Sequence, residues 1–172
     1  MIRFLIVPIA TIAMAGAASA HITFDQQRAA AGSYFTGFLR VGHGCDGAAT
    51  TMIRVTIPAG IDLVRPEPKS GWTLTIEHQP LATPIRGEGG EMVKERVATI
   101  TWRGGPLPAD EFDQFGLMMK LPATVGPLYF PTTQQCEKGT NDWINVPVSP
   151  AQWHMTKMPA PMLILTPPAP QG

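Results

Sequence analysis

The sequence predicts an all-β protein, an immunoglobulin-like antiparallel β-sandwich with a proline-rich C-terminal tail. Three observations carry that prediction. Eighteen prolines and seventeen glycines among 172 residues cut the chain into short runs, few of which sustain a helical period over three turns. In several runs apolar and polar residues alternate with period two, as in strands that bury one face. Turn-forming clusters separate them, among them Gly42-His43-Gly44, Pro58-Ala59-Gly60, Gly87-Glu88-Gly89-Gly90 and Gly104-Gly105-Pro106.

Residues 1–20 read as an export signal. Arg3 is followed by an apolar run from Phe4 to Ala15, and Ala18-Ser19-Ala20 has the small-residue form that signal peptidase accepts. The apolar run is too short to span a bilayer and has no charged stop-transfer flank, so no membrane span is expected after cleavage. The first strand candidate is His21–Phe24, followed by Tyr34–Val41. In Met52–Ile57 the residues Ile53, Val55 and Ile57 oppose Arg54 and Thr56; in Trp72–Glu77 the residues Trp72, Leu74 and Ile76 oppose Thr73, Thr75 and Glu77. Arg96–Trp102, Phe115–Leu121, Val125–Phe130 and Trp143–Val148 complete the set. Strands of this number and spacing pack as two antiparallel sheets. The sandwich is expected over 21–148. From Ser149, Pro150, Pro159, Pro161, Pro167, Pro168 and Pro170 predict an extended, mobile tail over 149–172 that cannot pair centrally in a sheet.

Cleavage leaves roughly 150 residues, enough for one domain with its own core. Thirteen Lys and Arg balance thirteen Asp and Glu, and losing Arg3 barely changes this. Without a basic stripe, nucleic acid and anionic lipid are not expected as partners. Cys45 and Cys136 reach an oxidising compartment after export, the periplasm or the exterior, where such a distant pair most simply forms one disulfide. A thiolate copper or zinc site is the alternative, although the pair lacks the C-x-x-C spacing of such sites.

Cleavage after Ala20 makes His21 the first residue. Its α-amine and Nδ1 can then close a six-membered ring on one metal ion, so one residue supplies two nitrogen ligands. An α-amine with a pKa of about 7.7–8.0 must lose its proton to bind, which selects a metal that competes strongly for nitrogen near neutral pH. Cu(II) leads the Irving–Williams order and accepts two cis nitrogens in a tetragonal plane. In the tail, His154, Met155, Met158 and Met162 offer an imidazole and three thioethers suited to Cu(I), a second candidate metal site weighed against simple apolar packing. His43, in its glycine-rich turn, is read first as a turn residue tolerant of unusual backbone angles, and His78 as a solvent-facing strand-end residue. If either completed a two-histidine brace with His21, the site would be similar to that of copper monooxygenases.

Five segments in order carry a family resemblance: HITF from His21, RVGHGCDGAATT from Arg40 to Thr51, IPAG from Ile57 to Gly60, PEPKSGW from Pro66 to Trp72, and CEKGTNDW from Cys136 to Trp143. Together they resemble the YcnI-like domain, DUF1775, from His21 to about Val148. The resemblance implies an exported copper protein with an immunoglobulin-like sandwich holding one Cu(II) in a mono-histidine brace. It assigns the site to the amino terminus and imidazole of His21, to Glu67, the glutamate shortly before Gly71-Trp72, and to Trp143 close to the ion, with Trp72, Trp102 and Trp153 as competitors for the last place. A carboxylate at Glu67 adds a hard oxygen and a negative charge that favour Cu(II) over Cu(I). An indole nitrogen is a donor only, so Trp143 can exclude water beside the ion but cannot ligate it ordinarily.

The expected function is a non-enzymatic copper-binding protein that takes up Cu(II) and passes it to a copper-transport or copper-chaperone partner. An oxidative copper enzyme is the alternative, needing an open coordination position and a substrate face. A metal-free structural sandwich is the third reading.

Overall fold

The computed structural model describes residues 21–87 and 89–168, so the export signal read at 1–20 lies outside the described residues. The strands are β1 (Thr23–Phe24), β2 (Arg28–Ala30), β3 (Tyr34–Val41), β4 (Thr50–Thr56), β5 (Val64–Pro66), β6 (Trp72–Arg86), β7 (Met92–Leu107), β8 (Asp113–Lys120), β9 (Gly126–Tyr129), β10 (Thr132–Cys136), β11 (Thr140–Trp143) and β12 (Met162–Thr166), with a 3-10 turn at Pro150–Met155. One sheet runs β1-β3-β8-β5 and a second runs β11-β10-β4-β7-β6, both antiparallel, and a small third sheet runs β2-β12-β9. No helix among the described residues is long and apolar enough to cross a membrane.

The period-two reading holds where it was clearest. Ile53, Val55 and Ile57 are buried while Arg54 and Thr56 are exposed, and they meet Leu39, Val41, Phe115 and Leu117 from the facing sheet around the fully buried Trp102. In Trp72–Glu77 the alternation is blurred and Ile76 is exposed, because β6 is an edge strand with only β7 beside it. The β6–β7 hairpin is also far longer than the alternating segments suggest. β6 runs through Pro80 and Pro84, and its register shifts between Pro80 and Ile85, the kind of edge irregularity that proline tolerates.

Two expectations are corrected. Trp143–Val148 is not one strand: β11 ends at Trp143, and only Asn145 beyond it makes an isolated bridge, to Pro159. Residues 149–168 do not form a mobile extension either. β12 is the central strand of the third sheet, antiparallel to β9 and parallel to β2, with Leu163 and Leu165 buried in the core. The prolines flank Met162–Thr166 and do not interrupt it, so its amides stay available for pairing. β10, Thr132–Cys136, was missed because its inward residues Thr132 and Gln134 are polar and give no hydrophobic alternation.

Cys45 and Cys136 form a disulfide with a Cα–Cα distance of 5.9 Å. It ties the loop after β3 to the end of β10, linking the two large sheets at one end of the sandwich. Among the described residues no cysteine is free, which rules out the thiolate metal site.

Candidate metal centre

The two large sheets leave two lateral edges. β1 and β11 border one, and β5 and β6 border the other. His21 belongs to the first. β1 pairs with β3 in the register Thr23 to Arg40, which continued outward sets His21 at the level of Gly42, one residue before His43. β11 contributes Trp143, 5% exposed, whose partner in register on β10 is Thr132.

Around Trp143 the rings converge. The His21 imidazole meets it edge-on with centroids 5.8 Å apart, and the His43 imidazole does the same at 6.4 Å. A second tryptophan, Trp153, packs on His21 at 5.0 Å and is itself only 4% exposed. The chain beyond β11 brings Trp153 there: Asn145 exchanges backbone hydrogen bonds with Met158 and Ala160, folding residues 149–161 back over this edge, and the Trp153 indole donates to the Ala160 carbonyl at 2.7 Å. His154 packs on the other side of Trp153, centroids 5.0 Å apart.

The protonation pattern of His43 follows from its neighbour. Its Nδ1 lies 2.5 Å from the Gly44 carbonyl oxygen, which can only accept, so the contact is a hydrogen bond in the tautomer with the proton on Nδ1, which leaves the Nε2 lone pair as the coordinating one. A backbone carbonyl on the second ring nitrogen is the usual arrangement behind a metal-ligating histidine. His43 is not a strained turn residue: in this loop the positive φ angles fall on Asp46 (46°) and Gly47 (83°).

One polar side chain holds the assembly from beneath. Gln134, 1% exposed on β10, donates through Nε2 to the His43 carbonyl at 2.7 Å and to Thr50 Oγ1 at 2.8 Å, while its Oε1 accepts from the Trp143 indole at 3.1 Å. The disulfide lies alongside, with the Cys45 amide 3.1 Å from Cys136 Sγ.

Glu67 is not part of this group. It follows β5, its amide bonds to the Gly116 carbonyl at 2.9 Å, and its carbonyl accepts from the Trp102 indole at 2.9 Å. Its side chain lies over Gly116 on β8. The Glu67 backbone is therefore three strand spacings from β1, about 14 Å, and its carboxylate over β8 still has β3 between it and β1, at the level of Phe38 and not of Gly42. The assignment of Glu67 beside His21 is corrected on that ground: adjacency of motifs in sequence does not reveal which edge of a sheet a strand occupies. Trp72 and Trp102 also belong to the far edge, each packed on Phe115 at 5.1 and 5.3 Å. His78 sits on the β6–β7 hairpin and lines a cavity of about 480 Å³ with Tyr34, Arg65, Glu95 and Lys120, at the end of β3 opposite His43.

Among the described residues the tail methionines take three different surroundings and not one thioether cluster. Met155 is 79% exposed, Met158 packs against the core, and Met162 pairs in register with Tyr129 on β9. Among the described residues no group of three or more His, Cys, Asp or Glu side chains is disposed to hold a metal ion. The imidazoles packed on Trp143 are His21 and His43, with His154 on the neighbouring Trp153, and an amine nitrogen joins them once the His21 α-amine is released from its peptide bond.

The model of a family described as a domain of unknown function, DUF1775, matches residues 21–165. No curated protein matches the chain. Among solved structures, an uncharacterised protein from Nocardia farcinica, whose crystal structure is described as revealing an immunoglobulin-like fold, is similar with a TM-score of 0.63 and 26% identity, over 84% of this chain and 97% of that one.

Proposed function

This chain belongs to the DUF1775 family through residues 21–165, and from that premise we propose an exported copper-binding protein whose mature chain begins at His21 and carries one Cu(II) as cargo. The ligands are the α-amine and imidazole of His21 and the imidazole of His43, with Trp143 and Trp153 excluding water around them. The observation that carries this reading is the packing of both imidazoles against Trp143. His43 takes the place that Glu67 cannot reach. Three nitrogens suit Cu(II) by the Irving–Williams order.

Buried indoles on His21 leave little space for an organic substrate beside the ion, which favours binding and hand-over to a copper-transport or copper-chaperone partner over catalysis. The two-histidine donor set supports one other reading, an oxidative copper enzyme. Adding reductant and oxygen to the copper-loaded protein separates them: peroxide or substrate turnover above that of free copper belongs to the enzyme, and its absence to the carrier.

The test of the site is a Cu(II) titration of protein beginning at His21. One-to-one binding is expected, weakened by His43→Ala and by one extra residue ahead of His21, and falling with pH as protons compete for the nitrogens. Binding unaffected by both changes leaves only a structural sandwich.

A further inference from the structure

We propose that Gln134 is a positioning residue for the copper site, and that its amide sets the geometry of His43 relative to Trp143. The inference rests on the copper-binding reading and extends it to a residue that touches no metal. The Gln134 side chain bonds to both the His43 backbone and the Trp143 indole. Its amide is committed in orientation: the NH₂ group faces two acceptors, the His43 carbonyl and Thr50 Oγ1, and the carbonyl oxygen faces one donor, the Trp143 Nε1–H. A flipped amide would set donor against donor, so only one placement satisfies all three partners.

A glutamine at an inward position of a strand is an unusual choice. Thr132, Gln134 and Cys136 form the inward face of β10, where an apolar side chain would bring no polar group of its own into the core. What the glutamine adds is a direct hydrogen-bonded link from the His43 backbone to the Trp143 indole, beside the ring contact between the two residues. The loop carrying His43 is pinned at the His43 carbonyl by Gln134 and two residues later by the Cys45–Cys136 disulfide, so the backbone that follows the ring is held at two points. The ring in turn is oriented by Nδ1 on the Gly44 carbonyl. Trp143 is fixed by the other end of the same amide. Among the described residues no buried side-chain nitrogen or oxygen lacks a partner, so removing Gln134 orphans groups that the fold otherwise satisfies.

Outer partners of this kind typically change metal affinity by about 10- to 100-fold when removed. Gln134→Met keeps the length and volume of the side chain and deletes all its hydrogen bonds. Thr132→Val, two residues away on the same face, deletes a buried hydroxyl whose bond goes to the Phe130 carbonyl and serves as the control for general loss of stability. Both are compared with His43→Ala by Cu(II) affinity and by the electron paramagnetic resonance spectrum of the one-to-one complex, below the melting temperature of each variant. The metal-free proteins are compared by the Trp143 indole N–H resonance.

Gln134→Met is expected to weaken Cu(II) binding at least tenfold, to alter the spectrum in the direction of His43→Ala and to shift the indole resonance, while Thr132→Val leaves the spectrum unchanged. If His43→Ala alters the spectrum and Gln134→Met does not, the positioning role is overturned and the copper site stands. If His43→Ala itself has no effect, the copper reading fails and takes the inference with it. Should Gln134→Met not fold, Gln134→Glu keeps an acceptor for Trp143 and loses the amide donor to His43; an unchanged spectrum in that variant overturns the proposal equally.

Discussion

At the β1/β11 edge of the sandwich two tryptophans, Trp143 and Trp153, pack on the imidazole of His21; at the β5/β6 edge two others, Trp72 and Trp102, pack on Phe115, and the Trp102 indole donates to the Glu67 carbonyl. The two edges share an aromatic pair and differ in what stands beside it. At the far edge the polar groups satisfy one another: Lys69 lies 2.6 Å from Asp113 and 5.2 Å from the Phe115 ring centroid. The histidine of that flank, His78, is six residues farther along β6 than Trp72, roughly 20 Å at the rise of a strand. At the near edge two imidazoles pack on Trp143, and the loop that brings one of them is held by a disulfide and by Gln134. An acid beside a tryptophan is a common end for a sheet edge, whereas two imidazoles around one indole are chemically able to bind a metal.

The sharpest way to break this comparison is to cut each aromatic pair in turn. Trp102→Ala and Trp153→Ala remove almost fully buried side chains, and each should cost about 3–5 kcal/mol of stability by thermal or denaturant unfolding. Only Trp153→Ala should change the Cu(II) spectrum; an equal change from Trp102→Ala would mean that the two edges are not independent. Replacing Cys45 and Cys136 by serine should cost about 2–5 kcal/mol, read as a lower midpoint in urea. It should also loosen the His43 loop, seen as faster amide hydrogen exchange at Gly42–Gly44 than around Lys69. The smallest effect belongs to Glu67→Gln, an exposed change expected to alter stability by less than about 0.5 kcal/mol and to leave Cu(II) affinity and spectrum unaltered. A weakened copper site in that variant would return Glu67 to the ligand set.

Much of the sandwich was legible because its central strands alternate cleanly, as at Ile53, Val55 and Ile57. The disulfide was legible because two distant cysteines leave few choices. What failed was lateral order. Pro66-Glu67-Pro68 follows an edge strand separated from β1 by two others, and strand order across a sheet leaves no local trace in sequence. His43 was undervalued because Gly42 and Gly44 suggested a turn and nothing more, yet a signal was present. Cys45 bonds to Cys136, and Cys136 leads through the β10–β11 hairpin to Trp143, so a bridge between the GHGC and CEKGTNDW segments draws His43 toward that tryptophan. Trp153 was obscured by the proline count of the C-terminal segment, whose apolar run Met162–Thr166 anchors it to the domain.

Pulsed electron paramagnetic resonance of the one-to-one Cu(II) complex, prepared with protein that begins at His21 and carries ¹⁵N-labelled histidine, tests the ligand assignment directly. Couplings from two imidazoles together with an amine nitrogen are predicted, and loss of one imidazole coupling in His43→Ala. Coupling to a single imidazole, unchanged by His43→Ala, would contradict the account.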